Sequence, residues 1–244
     1  MLKLNHLSIN RRRFLIAAAV AALHPASIFA NQFSLDKNKI QKKDWISFEK
    51  NIKNLANSIG LNENNTIINQ GLHYLKELDT DSVDFKHAVT ESYETGNHYW
   101  LWQRMIKEQN INGGILTINN SQLVQLHNHP GATGLVRIIK GEAEVWQYDE
   151  IDNNNHSSTE EKSIAKLNLT SHRILKPGDM AVLTPTKGNI HALKSISKQC
   201  SMLDFFIPPY KRSQRSWYEP LTPNWFNKKQ ITCNKIPQHE FTMA

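Results

Sequence analysis

The sequence predicts a mainly β protein, an antiparallel β-barrel preceded by helices. From residue 115 onward, short apolar runs of four to eight residues alternate with turn residues, as strands do in a barrel or a sandwich. Residues 43–78 instead place apolar side chains at helical spacing. Without its first 30 residues the chain has about 210, which suits one β-rich domain with an appendage.

The first 30 residues have the order of a secretory signal peptide. Arg11, Arg12 and Arg13 precede an uncharged run at 14–23, and small residues lead to Ala30. The run is well short of the roughly 20 residues that a membrane-spanning helix needs. The three arginines with the next two residues resemble a twin-arginine signal. We therefore expect an exported, periplasmic protein without stable membrane insertion after cleavage near residue 31, which amino-terminal sequencing of the exported chain would test.

The charge of the chain gives no reason to expect a nucleic-acid partner. Four of its 29 lysines and arginines fall in the expected signal and no acid does, which leaves 25 basic residues against 22 acidic ones. A net charge of about +3 indicates neither nucleic acid nor an anionic membrane as a partner.

The elements follow from these patterns. Residues 45–59 and 66–78 are the two helical candidates, with Gly60 as a stop for the first and Gly71 weakening the second. We predict a helical amino-terminal region at 31–110 that packs on the barrel, and a barrel with a carboxy-terminal tail at 111–244. The predicted strands are 114–118, 123–129, 135–140, 142–148, 163–169, 172–176, 180–185, 190–196 and 201–207.

Two local features extend this plan. Lys140-Gly141-Glu142 is a tight turn and predicts a hairpin between the strands on either side. Residues 149–162 form a polar loop. Cys200 and Cys233 are either one disulfide or two free thiols, and the sequence leaves both readings open.

A histidine pair carries the chemistry. His127 and His129 stand one residue apart on a predicted strand, so both side chains can point into the barrel. His191 opens a later strand and is the third candidate. Imidazole is a common ligand of zinc, copper, iron and nickel. The remaining histidines after the expected signal are interpreted as ordinary core or rim residues: His73, His87, His98, His156, His172 and His239.

The spacing around these histidines resembles the cupin superfamily, whose first motif is G-x5-H-x-H-x3,4-E-x6-G. Its second motif is matched by Gly178, Pro185, Gly188 and His191, with one residue added on each side of the proline. The resemblance implies a cupin-type antiparallel barrel, also called a double-stranded β-helix or jelly roll.

The first cupin motif is matched at its two histidines and at Gly141, and it departs at its glutamate. Thr133 or Gly134 occupies that position, and Gly134 stands seven residues before Gly141. The site therefore lacks the carboxylate that many cupins use as a metal ligand.

A narrower resemblance accounts for the missing carboxylate. "LHNHPGATGLVRIIKGEAEVWQYD" and "GNIHALKSISKQCSMLDFFIPPY" resemble two segments of the cysteamine dioxygenase and plant cysteine oxidase family, in the same order. The resemblance covers roughly residues 113–221 and implies an iron(II) thiol dioxygenase with His127, His129 and His191 as ligands. Its expected substrates are a small thiol or a peptide with an amino-terminal cysteine, and O2.

Three neutral imidazoles suit that chemistry. They leave Fe(II) its full charge, which lowers the pKa of an incoming thiol and favours binding of the thiolate. The family match makes Asp204 a candidate to orient His191, and makes Tyr210 a group beside the substrate. A rim aromatic is the alternative role for Tyr210. Ser216 stands where some relatives have a cysteine, which excludes a thioether crosslink to Tyr218.

Two other functions remain open at this stage. One is a cupin that uses another metal for isomerisation or hydrolysis. The other is a non-catalytic barrel that binds a small periplasmic ligand.

Overall fold

The predicted barrel is present, and a second sheet packs against it. A computed structural model describes residues 41–58, 64–97, 99–151 and 163–241, which fall in one compact unit. The expected signal at 1–30, most of the polar loop at 149–162, Gly60, His98 and His156 lie outside these ranges.

Within the described ranges, three helices precede the sheets: α1 (Trp45–Ser58), α2 (Asn64–Glu77) and α3 (Val83–Thr90). The first two confirm the helical candidates. The side chains that α1 buries recur at the expected spacing: Trp45, Phe48, Ile52, Leu55 and Ala56. The third helix was not expected. Ser82 caps it by accepting a hydrogen bond from the Phe85 N–H at 3.3 Å.

Twelve strands follow in the described part of the chain. They are β1 (Tyr93–Gly96), β2 (Trp100–Lys107), β3 (Asn112–Asn119), β4 (Leu123–His127), β5 (Thr133–Lys140), β6 (Ala143–Glu150), β7 (Ser163–Leu175), β8 (Met180–Leu183), β9 (Ile190–Ser195), β10 (Gln199–Ile207), β11 (Ser216–Pro220) and β12 (Gln230–Pro237). One sheet has the order β1-β2-β3-β10-β5-β8. The other six strands close into an antiparallel barrel in the order β11-β12-β7-β6-β9-β4, with β4 pairing with β11.

Some of the predicted element bounds differ from this arrangement. The helical part ends at Thr90, because β1 and β2 occupy the last part of 31–110. The two strands predicted within 163–176 are one strand, β7. The strand predicted over 123–129 ends at His127.

The hairpin predicted at Lys140-Gly141-Glu142 is wrong. β5 pairs with β10 and β8, whereas β6 pairs with β7 and β9. The turn instead leads the chain from the sheet into the barrel. Gly141 has a φ of +70°, and a Cβ there would lie 2.0 Å from the Gln199 carbonyl oxygen. Only glycine fits, but the turn fixes the conformation of the chain and not the partner of each strand.

Strand β10 is buried on both faces. Leu203, Phe205 and Ile207 pack in the core that the sheet forms with the helices. Cys200 and Met202 point the other way, into the core shared with the barrel. Because the side chains of a strand alternate, the even-numbered positions of β10 face the barrel.

Helix α2 lies close to the sheet. A Cβ on Gly71 would lie 2.3 Å from Leu135 Cδ1, so the glycine permits this approach. The guanidinium of Arg137 donates hydrogen bonds to the carbonyl oxygens of Leu75 and Leu78, near the carboxy-terminal end of α2.

Cys200 and Cys233 are both free and buried, so they are not a disulfide. Burial raises the pKa of the Cys200 thiol to about 11 and that of Cys233 to about 12. Both thiols therefore stay protonated at neutral pH. Among the described residues, the helices are all too short or too polar to cross a membrane.

Two isoleucines on α1 test the helix–sheet core. Ile52 is 0% exposed and Ile46 is 68% exposed. Ile52→Ala removes buried methyl groups and leaves a cavity, so it should lower the free energy of unfolding by about 2 to 5 kcal/mol. Ile46→Ala, the matched control, should stay within about 0.5 kcal/mol of wild type. Urea unfolding followed by circular dichroism measures both, and equal losses would show that α1 does not pack as described.

Candidate metal centre

Strand register brings His127 and His191 together. His127 is the last residue of β4 and pairs with His191 of β9. Directly paired residues on antiparallel strands have side chains on the same face, with Cβ atoms about 5 Å apart. Both imidazoles are buried. The barrel therefore fixes two of the three predicted ligands.

His129 lies beyond the end of β4 and is held by a side chain. The Asn189 side chain accepts a hydrogen bond from the His129 N–H at 2.8 Å and donates one to the His129 carbonyl oxygen at 3.1 Å. Asn189 also donates to the Thr184 carbonyl oxygen at 2.8 Å. His129 is therefore held by the side-chain amide of Asn189, whereas the sequence had placed it on a strand.

The three imidazoles converge through their Nε2 atoms. His129 Nε2 lies 3.0 Å from His191 Nε2, which lies 3.3 Å from His127 Nε2. Ligand nitrogens about 2.1 Å from a shared ion and 90° to 110° apart lie roughly 3.0 to 3.4 Å from one another. Within the described ranges, these three histidines are the one group of three or more candidate ligands close enough to share an ion.

The protonation of the histidines suits a cation. His127 Nδ1 lies 2.7 Å from the Gln125 carbonyl oxygen, which fixes the proton on Nδ1 and leaves Nε2 with a free lone pair. Burial holds the pKa of His127 and His129 well below the usual value and lowers that of His191 to about 3. Three neutral, buried rings with nitrogens in contact fit a metal ion between them.

Thr133 and Gly134, the two residues at the position of the missing carboxylate, have packing roles in the structure. Thr133 is buried and its hydroxyl donates to Asn64 Oδ1, at the start of α2, at 2.9 Å. A Cβ on Gly134 would lie 2.7 Å from the Leu183 side chain. These two positions therefore serve helix docking and strand packing.

Aromatic rings enclose the histidines. Phe206 stacks on His129 with ring centroids 4.5 Å apart, and Tyr210 meets the same ring edge-on at 4.5 Å. Trp217 covers His127 at 4.9 Å. The structure thus places Tyr210 beside a candidate ligand, and its role beside the substrate stays a prediction. Phe206 and Trp217 were not singled out from the sequence.

Asp204 faces the histidines but does not bond to His191. It lies on β10 at an even-numbered position, two residues before Phe206. It is buried, and its Oδ1 has no hydrogen-bond partner among the described residues. No Asp204–His191 hydrogen bond is present there either. Burial raises the pKa of Asp204 to about 7, although the charge of Arg215 opposes this rise. Its role as an orienting group stays a prediction.

Arg215 is a site residue that sequence reasoning missed. Its Nη2 donates to the Tyr210 hydroxyl, and its Cζ lies 5.1 Å from the centre of the Tyr210 ring and 5.4 Å from that of Trp217. Burial is the largest cause of the lowered pKa of all three histidines, and the positive charge of Arg215 lowers it further. No short motif contains this arginine, so only the folded chain shows its place.

Asn128 ties Arg215 to the histidines. Its Oδ1 accepts from the Ser216 N–H at 2.7 Å, and its own N–H donates to the Ser216 carbonyl oxygen at 3.1 Å. Asn128 stands between His127 and His129, and Ser216 follows Arg215. The loop before β11 is therefore held against the segment 127–129, which carries two of the histidines.

The fold and the three histidines define the class: a cupin-type barrel with a buried metal-binding site. The PCO_ADO family model matches residues 72–241, more than half of the chain, and the chain belongs to this family. The resemblance noted in the sequence to cysteamine dioxygenases and plant cysteine oxidases is thereby confirmed.

Relatives with a described activity are distant. A probable 2-aminoethanethiol dioxygenase of Dictyostelium discoideum is 25% identical, over 61% of this chain and 69% of that protein. Plant cysteine oxidase 1 of Arabidopsis thaliana is 31% identical, over 40% of this chain and 32% of that protein. The 2-aminoethanethiol dioxygenase of Mus musculus is 22% identical, and 44% of its length is covered. The chain thus spans less than half of the last two proteins.

The chain also has a weak similarity to a solved structure. The protein with a double-stranded β-helix domain from Klebsiella pneumoniae has a TM-score of 0.36 and 18% identity, over 50% of this chain and 87% of that chain.

His191→Ala should abolish stoichiometric metal binding while the barrel still folds. The variant removes one of three converging Nε2 atoms and leaves two, which bind a divalent ion far less tightly. Metal content after anaerobic loading with Fe(II) and gel filtration measures this. His87→Ala is the matched control, because the His87 side chain is 71% exposed on α3. A His191→Ala protein that retained one equivalent of metal would contradict the site.

Asp204→Asn should change how stability depends on pH. The folded-state pKa, about 7, lies above the ordinary value of 3.8, so the stability linked to this group is full below pH 3.8 and is lost as the pH rises towards 7. The loss is at most about 1.4 kcal/mol per pH unit. The variant lacks this loss, so its free energy of unfolding should rise relative to wild type between about pH 5 and pH 7.

Urea titrations of protein freed of metal by a chelator measure that difference, since a bound cation would stabilise the carboxylate. The same titrations of Asp81→Asn, which removes an exposed carboxylate, provide the control. A difference between Asp204→Asn and wild type that stays constant between pH 5 and pH 7 would contradict the raised pKa.

Proposed function

We propose that this chain is an iron(II)-dependent thiol dioxygenase that converts a small aminothiol, or an amino-terminal cysteine, to a sulfinate with O2. One observation carries the proposal: three neutral histidines converge without a carboxylate, in a chain of the PCO_ADO family. The names of its relatives, 2-aminoethanethiol dioxygenase and plant cysteine oxidase, support this reaction type.

The reaction is balanced without a further reductant. One thiol and one O2 give one sulfinate and one proton. The sulfur atom loses four electrons, both oxygen atoms of O2 gain them, and both are bonded to sulfur in the product. When bound at the three histidines, iron(II) would act as a Lewis acid that favours the thiolate and as a source of electrons for O2.

The protein supplies a positive and enclosed setting for that reaction. Three imidazoles add no negative charge, so a divalent ion keeps its full attraction for a thiolate. Phe206 and Trp217 pack on two of the imidazoles and exclude water from those faces. The hydroxyl of Tyr210 stays at the site because it accepts a hydrogen bond from Arg215. Tyr210 is positioned to bond a substrate group.

A second function is supported by the ligand set itself. Three imidazoles also suit zinc, nickel and copper, so a non-iron cupin that catalyses isomerisation or hydrolysis is the alternative. Zinc does not change its oxidation state. Comparison of iron with zinc therefore separates the two functions.

The test is O2 consumption by anaerobically Fe(II)-loaded protein given cysteamine, L-cysteine and a peptide with an amino-terminal cysteine in turn. We expect uptake with at least one thiol and a product that has gained two oxygen atoms by mass spectrometry. Zinc-loaded wild type and Fe(II)-treated His127→Ala should show no thiol-dependent uptake, whereas His87→Ala should match wild type. No uptake by protein that holds one equivalent of iron would overturn the proposal.

A further inference from the structure

His129 is the candidate ligand that strand pairing does not hold, and its ring lacks a second hydrogen bond. His127 and His191 pair with each other across β4 and β9, and His127 Nδ1 is bonded to the Gln125 carbonyl oxygen. His129 Nδ1 is buried and has no hydrogen-bond partner among the described residues. Metal-bound histidines are commonly oriented through that second nitrogen. The place of His129 therefore depends more than usual on how its backbone is held, and Asn189 holds it.

Both ends of the Asn189 amide are engaged. Its Oδ1 accepts from the His129 N–H at 2.8 Å, and its Nδ2 donates to the carbonyl oxygens of His129 and Thr184 at 3.1 Å and 2.8 Å. The backbone of Asn189 therefore determines where residue 129 lies. That backbone is just beyond the pairing of β6 with β9, whose last pair is Tyr148 with Ile190. The strand ladder does not reach it, so side chains hold this part of the chain.

Two side chains of β6 hold Gly188, the residue before Asn189. Asp149 Oδ1 accepts a hydrogen bond from the Gly188 N–H at 2.5 Å. Gln147 Nε2 donates to the Val182 carbonyl oxygen at 2.7 Å and, at 3.4 Å, to that of Gly188. Gly188 has a φ of +62°, and a Cβ there would lie 2.9 Å from Gln147 Nε2, so only glycine fits. The peptide groups on both sides of Gly188 are therefore fixed to β6.

We infer that Asp149 is a positioning residue of the metal centre, which sets the place of His129 through Gly188 and Asn189. The sequence indicated only a polar loop at 149–162 for this aspartate. In the structure Asp149 lies on β6, and its carboxylate contacts the loop between β8 and β9. The path from its Oδ1 to His129 consists of two hydrogen bonds and the short stretch of chain between them. The inference concerns metal binding, so it does not depend on the thiol dioxygenase reaction.

Titration of the metal-free protein with Co(II) tests this without substrate or O2. The visible absorption of bound Co(II) reports the arrangement of its ligands, and the titration gives the dissociation constant. Asp149→Ala removes the acceptor of the Gly188 N–H, so it should raise the dissociation constant by about 10- to 100-fold and change the spectrum. Asp149→Asn keeps an oxygen that can accept this bond and should stay close to wild type. Wild-type affinity and spectrum in Asp149→Ala would overturn the inference, and so would equal losses in the two variants.

Asp179→Ala is the matched control. Asp179 Oδ2 also accepts a backbone N–H, that of Lys176 at 2.9 Å, but in an exposed turn between β7 and β8. This turn lies at the other end of β8 from Gly188, so the variant should keep the wild-type affinity and spectrum. Ile52→Ala controls for general loss of stability, because Ile52 lies in the helix–sheet core. It should also leave Co(II) binding unchanged, and weakening in these controls equal to that in Asp149→Ala would overturn the inference.

A double variant tests the path itself. Asn189→Ala alone should raise the dissociation constant for Co(II), because the backbone of His129 loses both bonds to the amide. If Asp149 acts through Asn189, adding Asp149→Ala to Asn189→Ala should cause little further loss, since the two residues act in series. Losses that multiply would show that Asp149 acts elsewhere and would overturn the inference. Wild-type affinity in Asn189→Ala would do the same, including where Asp149→Ala does not fold.

Discussion

One row of paired residues determines both the barrel and its metal site. His127 pairs with Trp217 on one side and with His191 on the other, so three neighbouring strands meet at this residue. The pairing of β4 with β11 also closes the barrel. A slip of one residue in either pairing would turn a ligand or its aromatic cover to the opposite face of the sheet. Barrel closure and assembly of the site therefore depend on the same register.

The electrostatics of the site follow from the burial of three histidines without a carboxylate ligand. The Nε2 atoms of His129 and His127 lie 3.0 Å and 3.3 Å from His191 Nε2, and lone pairs that face one another at this range are unfavourable without a proton or a cation between them. The positive charge of Arg215 lies nearby and disfavours both the proton and the cation at these nitrogens. A cation bound together with an anionic ligand relieves this conflict, because the anion offsets the cation and the arginine at once. The charge distribution thus favours a metal and an anion as a pair.

The sequence predicted what depends on local pattern. The helical spacing of α1 and α2, the apolar runs of most strands and the three histidines were all recognised, because each is encoded in a few neighbouring residues. It did not predict which strands pair across Gly141, since a turn does not specify a sheet. His129 was assigned to a strand, although Asn189, 60 residues away, holds it. Arg215 was missed because no short motif contains it, and its place at the site depends on how the loop before β11 folds against Asn128.

The absence of a carboxylate ligand also connects the site to the helical layer. Thr133 is, with Gly134, one of the two residues at the position where many cupins carry a metal-binding glutamate, and its hydroxyl is bonded to Asn64 at the start of α2. A glutamate at this position would lose that bond. Its longer side chain would also bring a negative charge into a region without free space, because Thr133 is 0% exposed. Docking of α2 therefore favours a small polar residue here. The same choice leaves the three histidines without a carboxylate ligand, so one residue serves both the packing of the helix and the chemistry of the barrel.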